Sequence, residues 1–369
     1  MACAWFGIQT WIGGEAINTL IATLAPSWAQ VPHSTAICFM AFWLINLAVI
    51  LKGIEYIRIL QGISAPILLA VGLLLLAWAY KSAGGFGPML SAPSRFLTFS
   101  DFLKFLIPAL NGTVGFWATV SLNIPDFTRF ARSQRDQMVG QAVGLPLPMA
   151  LLSVISVVVT SATVVIYGQA IWDPIDLTSR MTGIGVGIAL IILTLDTMCC
   201  NLAANLVGPA YDFSSLWPKG ISYKAGGMIT ATIAIVMMPW KILSTTHGYI
   251  FTWLVGYSAL LGPVAGIMMV DYFLIRGTRL DHHELFDETG EYAYTGGWNI
   301  AAVVALAIGV LPNLPGFLNT AFPAAFPNVP DLFKTLYTYA WFVGLALAAL
   351  VYGVWMKLDK RASPRVASA

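Results

Sequence analysis

The chain has 369 residues, of which 58% are hydrophobic and only 10% charged, with a formal net charge of +2 and a mean hydropathy of +0.78. Soluble domains carry roughly 25% charged residues, so no water-surrounded core holds this much apolar side chain, and the bilayer must solvate most of it. So small a net charge offers no handle for nucleic acid, and the absence of a Walker loop or GxGxxG excludes ATP-driven work within this chain.

Ten apolar stretches approach the length of about 20 residues that a bilayer demands. They cover approximately residues 3–24, 35–51, 63–80, 102–124, 139–167, 183–207, 226–240, 249–274, 298–318 and 335–355. The second and seventh are short as drawn. The first carries Trp5 and Gln9, four residues apart and so on one helix face, and an acid, Glu15. The fourth runs into NGTVGFWATVSLNIPDFTRFARSQR, residues 111–135. There Asn111-Gly112, Gly115, Trp117, Ser121, Asn123, Pro125 and Asp126 interrupt the apolar run and predict a broken helix. Irregular backbone at membrane depth is tolerated only where it is buried or lines a cavity. The plainer alternative is a passive kink, since Gly and Pro are common in membrane helices.

The sixth stretch, LIILTLDTMCCNLAANLVGPAYDF, holds Asp196, Cys199, Cys200, Asn201 and Asn205. An acid at the centre of a membrane helix costs about 2.5–3.5 kcal/mol on insertion scales and is by default a functional candidate. Where the medium disfavours charge, a carboxyl can carry a proton. Asp196 shares a face with Cys199 and Cys200, and at 3.6 residues per turn lies opposite Asn205. The alternative is a structural hydrogen bond to a neighbouring helix. Asn and Gln amides offer paired donors and an acceptor in one plane, which suits a ring bearing adjacent C=O and N–H groups. An indole face can stack on such a ring. Trp5, Gln9, Trp117 and Asn205 therefore make a candidate stack-and-read pocket, against the alternative of interhelical glue at about 0.6 kcal/mol per bond.

The pairs Gly183–Gly187 and Gly262–Gly266 are small-xxx-small spacings and predict close helix packing. Residues 276–297 form the longest polar loop, with five acids (Asp281, Glu284, Asp287, Glu288, Glu291), and read as solvated and cytoplasmic. Residues 1–357 make a single transmembrane domain, and residues 358–369 a short basic cytoplasmic tail. With a cytoplasmic N-terminus, 13 of the 19 Lys and Arg fall inside and 6 outside. The positive-inside rule therefore places both ends in the cytoplasm. The four cysteines show no CxxC spacing and the four histidines no HExxH, so neither a metal site nor a disulfide framework is expected.

The blocks WFGIQTWIGGEAI (5–17), GFWATVSLNIPDFTRFARSQRDQ (115–137), NLAANLVGPAYDFSSLWP (201–218) and GPVAGIMMVDYFLIR (262–276) resemble the nucleobase–cation symporter-1 family. These are permeases for purines, pyrimidines, hydantoins and allantoin, and the resemblance runs almost end to end. It implies a twelve-helix, all-α membrane protein of LeuT-like fold, with two inverted five-helix repeats and alternating access. It also implies that Trp5, Gln9, Trp117 and Asn205 hold the substrate. Two departures matter. The WFGIQ block belongs to the family's third helix, so the ten stretches correspond to helices three to twelve and the chain reads as N-terminally truncated. And where sodium-coupled relatives place Ser-Thr, this chain has Cys199-Cys200, with Asp196 where they carry a small residue. Hard cations prefer oxygen ligands, so the resemblance with these changes leaves H+ or Na+ as coupling ion, with Asp196, Cys199 and Cys200 as the coupling residues: Asp196 replaces sodium with a proton, the favoured reading, or its carboxylate still ligates sodium.

The expectation is a secondary active transporter, not an enzyme, for a small planar nucleobase, ureide or hydantoin-like solute. It sits in the cytoplasmic membrane, needs no cofactor beyond the coupling ion, and has no nucleic-acid partner. The rival expectation is a non-transporting membrane fragment or ligand-binding sensor.

Overall fold

The computed structural model describes residues 1–91, 93–94, 96–180, 184–243, 252–281, 283–287 and 289–359. Among these the β pairing is a single bridge between Thr295 and Trp298, and nearly everything else is helix. The main helices are α1 (Ala2–Leu24), α2 (Ser34–Lys52), α3 (Ile54–Ser82), α4 (Phe99–Asn123), α5 (Gln134–Gly144), α6 (Pro146–Tyr167) and α7 (Ile184–Cys200). A π-helical segment (Asn201–Leu206) joins α7 to α8 (Val207–Leu216). Then follow α9 (Tyr223–Val236), α10 (Val255–Val270), α11 (Ile300–Val310), α12 (Leu314–Ala321), α13 (Asp331–Thr338) and α14 (Ala340–Leu358). Apolar runs become helices because hydrocarbon cannot satisfy backbone polar groups, and a helix pairs them within one segment. Where runs begin at polar boundaries, Ser133, Ser222 and Asn299 each accept a first-turn backbone N–H, the usual N-cap bond.

Each of the ten predicted stretches falls on helix; residue 183, residues 249–251, Glu288 and most of the 358–369 tail lie outside the described residues. Seven helices among the described residues are long and apolar enough to cross a membrane: Ser34–Lys52, Ile54–Ser82, Gln134–Tyr167, Val186–Leu216, Thr252–Ile275, Ile300–Ala321 and Ala340–Leu358. Two more, α1 and α4, have 23 and 25 residues but carry more polar side chains, and α9 is shorter, at 14.

The predicted break in the fourth stretch is met only at its C-terminal end. Helix α4 runs unbroken through Asn111, Gly112, Gly115 and Trp117, stops at Asn123, and gives way to a short turn at Pro125–Thr128 and a non-helical stretch at residues 129–133. Two of the earlier interrupting residues serve packing instead. Asn111 Oδ1 accepts the Trp341 backbone N–H at 3.0 Å, satisfying a first-turn donor of α14. A Cβ at Gly115 would sit 2.2 Å from Ser258 Oγ, so glycine there permits contact with α10.

Two compact units divide the chain: residues 1–95 with 123–241, and residues 96–122 with 242–369. In the first, Phe6 of α1, Phe42 and Ile50 of α2, Leu202 and Leu206 of the π segment, and Ala231 and Ala234 of α9 form a buried core. In the second, Val270, Ala301, Ala305, Ala348, Tyr352 and Met356 bring α10, α11 and α14 together. The predicted Gly262–Gly266 pair does what its spacing suggests: added Cβ atoms would lie 2.5 Å from Trp341 O and 2.4 Å from Leu345 O of α14. Of the other pair, Gly183 lies outside the described residues, and a Cβ at Gly187 meets only Leu20 Cδ1, at an ordinary 3.9 Å.

The 276–297 loop is less solvated than its composition suggests, because its base is pinned. Arg276 is buried, its side chain 2% exposed, and its guanidinium meets Asp271 at 2.8 Å and Glu291 at 3.0 Å. It also donates to Tyr294 Oη at 2.7 Å and stacks on Tyr292 at 4.3 Å. Tyr352 of α14 donates to Asp271 at 2.6 Å. Burial works against the charge on Arg276, but the hydrogen bond and charge of Asp271 outweigh it, and the guanidinium holds its proton more tightly than an ordinary arginine.

Candidate functional site

The polar residues of α1 and the π segment meet in a buried ladder. Thr10 Oγ1 donates to the Phe6 carbonyl at 2.6 Å, one turn below it. Asn201 Nδ2 donates to Thr10 Oγ1 at 3.1 Å and to Phe6 O at 3.3 Å. Asn205 Nδ2 then donates to Asn201 Oδ1 at 3.1 Å. Thr10 and Asn201 are fully buried and Asn205 is 7% exposed, so these amides have traded membrane for one another, as buried polar groups must. Trp5 and Gln9 each precede a rung residue, Phe6 and Thr10, by one position on the same two turns of α1. Trp5 is 5% exposed, far from the half-wet setting of an interfacial anchor, and Gln9 is half-buried. The structure thus brings Trp5, Gln9 and Asn205 onto one packed pair of segments. Trp117 belongs to the second unit, where it is half-buried and its ring meets Phe116 edge-on at 5.6 Å.

The segment Asn201–Leu206 departs from ordinary helix geometry, as Asp271–Ile275 also does. Its i→i+5 pairing lets side chains project at angles an α-helix does not offer, and π turns are frequent at functional sites. The 3.6-residue arithmetic that placed Asp196 opposite Asn205 does not carry across it. Just before it, Cys199 is 1% exposed and its thiol donates to Ser64 Oγ at 2.9 Å, while Cys200 is exposed. The two adjacent thiols therefore face different surroundings, and only Cys199 packs against α3. Asp196 is half-buried one turn earlier. Glu15, the other membrane acid, accepts the Trp11 indole N–H at 2.9 Å beside Phe39 and Trp240.

At the end of the fourth stretch, Asn123 Nδ2 lies 3.3 Å from Asp212 and 3.5 Å from Asp126. The guanidinium of Arg129 stacks on Tyr211 at 3.8 Å. Burial, with a smaller push from Asp212, raises the Asp126 carboxyl above the ordinary aspartate range. Asp126 also lines a cleft of about 540 Å³ with Glu55, Arg58, Gln61, Phe127 and Ala203 among others. Sequence reasoning passed over Thr10, Gln61 and Ser64. The available signal was polarity inside an apolar run, which for Gln61 in IRILQGISAP is a lone amide among aliphatic residues.

A set of helices long and apolar enough to cross a membrane, one turning π at buried amides, defines the class: a polytopic membrane protein. The comparisons name the family. The family of permeases for cytosine/purines, uracil, thiamine and allantoin matches residues 1–344, and the chain belongs to it. The purine-uracil permease NCS1 of Arabidopsis thaliana is 42% identical over 367 residues, covering 96% of this chain and 61% of that one. The allantoin permease of Bacillus subtilis (strain 168) is 39% identical over 373 residues, covering 98% and 74%. The chain thus spans about 61% and 74% of the lengths of these two relatives. Among solved structures, Mhp1, a nucleobase-cation-symport-1 family transporter in a closed conformation with bromovinylhydantoin bound, aligns with a TM-score of 0.75. It is 26% identical, with 98% of this chain and 75% of that one covered.

Proposed function

We propose that the protein carries a small planar nucleobase, ureide or hydantoin across the cytoplasmic membrane, coupled to a cation. The observation that supports this most is the ladder from Phe6 and Thr10 through Asn201 to Asn205. Four polar groups are buried at a π turn in an otherwise apolar helix, and the buried Trp5 lies one residue before Phe6 on α1. Such a rung fixes one carboxamide edge, and a ring with matching C=O and N–H groups gains orientation from it. Trp5 and Trp117 would stack on the ring, and Gln9 and Asn205 would read its edge. Both ends of the chain would face the cytoplasm. The related permeases of purine and uracil, and of allantoin, support this substrate class.

For the coupling ion, the side chains at the family's sodium position favour a proton. Cys199 offers a thiol already bound to Ser64, a poor ligand for a hard cation, and Asp196 supplies a carboxyl that can be loaded and unloaded. Uptake of radiolabelled uracil, cytosine, allantoin, hydantoins and purines by cells producing the protein, each competed by the others, tests the reading. Saturable uptake of at least one, driven by an imposed pH gradient and abolished by Trp117→Ala, is expected. Ligand binding with no uptake in any of the panel would make the protein a binding sensor instead. Uptake at wild-type affinity in Trp117→Ala would remove that indole from the pocket.

A further inference from the structure

Two side chains of α3, three residues apart, hold one residue of α7. Gln61 Nε2 donates to the Cys199 backbone carbonyl, and Ser64 Oγ accepts from the Cys199 thiol. Cys199 stands two residues before the π segment begins. A side-chain donor placed on a carbonyl just before pairing changes from i+4 to i+5 ties the start of the π turn to the neighbouring helix. Gln61 is that donor. It reaches the carbonyl from the wall of the cleft that it lines with Ile57, Asp126, Ala203 and Val207.

We propose that Gln61 is a positioning residue for substrate recognition. By tying the Cys199 carbonyl to α3, it fixes where the π turn starts, and with it the angle at which Asn201 and Asn205 leave the helix. The proposal rests on the planar-solute reading given above and adds to it which residue sets the reading edge. It has a second consequence. The oxygen that a bare cation would need at this position already accepts a neutral amide donor, and the neighbouring thiol already has its partner. The residues present therefore do not fit a sodium ion here, and the turn is held without one.

The test separates donor chemistry from space-filling. Leucine at 61 matches glutamine in size and cannot donate. Glutamate donates only when protonated. Titratable and charged groups near Gln61 are Glu55 and Arg58 on its own helix, Asp126 across the cleft, and Asp196, Cys199 and Cys200 on the facing helix, and all are unchanged in both variants. Purified full-chain protein in lipid nanodiscs is titrated with its best-competing ring compound between pH 5 and pH 9, in sodium and in choline buffers, with thermal unfolding recorded alongside. Gln61→Leu is expected to weaken binding about tenfold or more at every pH. Gln61→Glu is expected to bind within about threefold of wild type in acid and to approach the leucine variant in base, each affinity taken relative to wild type at the same pH. Wild-type affinity is expected to be equal in the two buffers.

Affinities of both variants equal to wild type at all pH values would overturn the proposal. So would equal weakening of both variants at every pH, which would mean packing alone, and so would a wild-type affinity that needs sodium. If Gln61→Leu does not fold, the acid-to-base comparison within Gln61→Glu decides alone. A wild type that binds none of the ring compounds sinks the functional reading together with this one. A wild type that binds while both variants match it sinks only the role of Gln61.

Discussion

Asn201 is the joint of the ladder, and Asn201→Leu is the most informative single change. It removes three hydrogen bonds, at 3.3, 3.1 and 3.1 Å. The partners do not suffer equally. Phe6 O still accepts from Thr10 Oγ1 at 2.6 Å, so that pair remains satisfied. Asn205 Nδ2 is left facing an aliphatic side chain with no acceptor. Two interhelical bonds at about 0.6 kcal/mol each give about 1.2 kcal/mol, and the buried Asn205 donor orphaned within the π segment adds on the order of 1 kcal/mol or more. A stability loss of about 2 kcal/mol is expected, read as a fall in the unfolding temperature of purified protein in nanodiscs. An Asn205 amide free to rotate should also weaken ligand binding about tenfold, which corresponds to about 1.4 kcal/mol. Thr10→Ala is the control, because it removes the two bonds of Thr10 and leaves Asn205 bonded to Asn201. It should cost stability and change affinity less than about threefold. The reasoning fails if Asn201→Leu binds within twofold of wild type while Asn205→Ala loses binding. In that case Asn205 reads substrate without being oriented by its neighbour.

The remaining predictions concern coupling and packing. Asp196→Asn mimics the proton-loaded carboxyl, so wild-type uptake should fall as external pH rises while the variant's uptake should be flat with pH and no longer concentrative. An unchanged pH profile with strict sodium dependence would refute the proton assignment. Gly266→Leu drives side chain into Leu345 O, 2.4 Å from the Cβ position, and should leave little folded protein in fluorescence-detected size exclusion. Gly187→Ala, with 3.9 Å of room, should behave as wild type. Arg276→Met leaves Asp271 and Glu291 facing each other without their cation. Breaking a buried pair costs about 3–5 kcal/mol, reduced here because both carboxylates are partly exposed. Faster proteolysis within the 276–297 loop is the expected readout, and an unchanged cleavage rate would mean that the loop is held elsewhere.

What could be read from the sequence, and what could not, follows from how far each signal reaches along the chain. Helix positions depend on runs of apolar residues about 20 long, a signal carried wholly within one segment, and the predicted stretches accordingly lie on helix. The Gly262–Gly266 contact was legible for a related reason, because four-residue spacing on one helix states which face is bare, although it does not name α14 as the partner. The predicted break, drawn from Asn111 to Asp126, is met only from Asn123 onward, because polarity and glycine at residues 111–117 report that something unusual is needed without saying what. Asn111 and Gly115 turn out to answer the demands of α14 and α10, and their own helix continues. The π turn at Asn201–Leu206 shows the converse. Nothing in NLAANL differs from an α-helical sequence; what surrounds it comes from elsewhere in the chain, with Thr10 and Phe6 holding the Asn201 side chain and Gln61 holding the Cys199 carbonyl. The sequence names the amides that form the candidate site. The angle at which they are presented depends on hydrogen-bond partners some 140 and 190 residues away, which hold the turn through geometry that composition and periodicity do not encode.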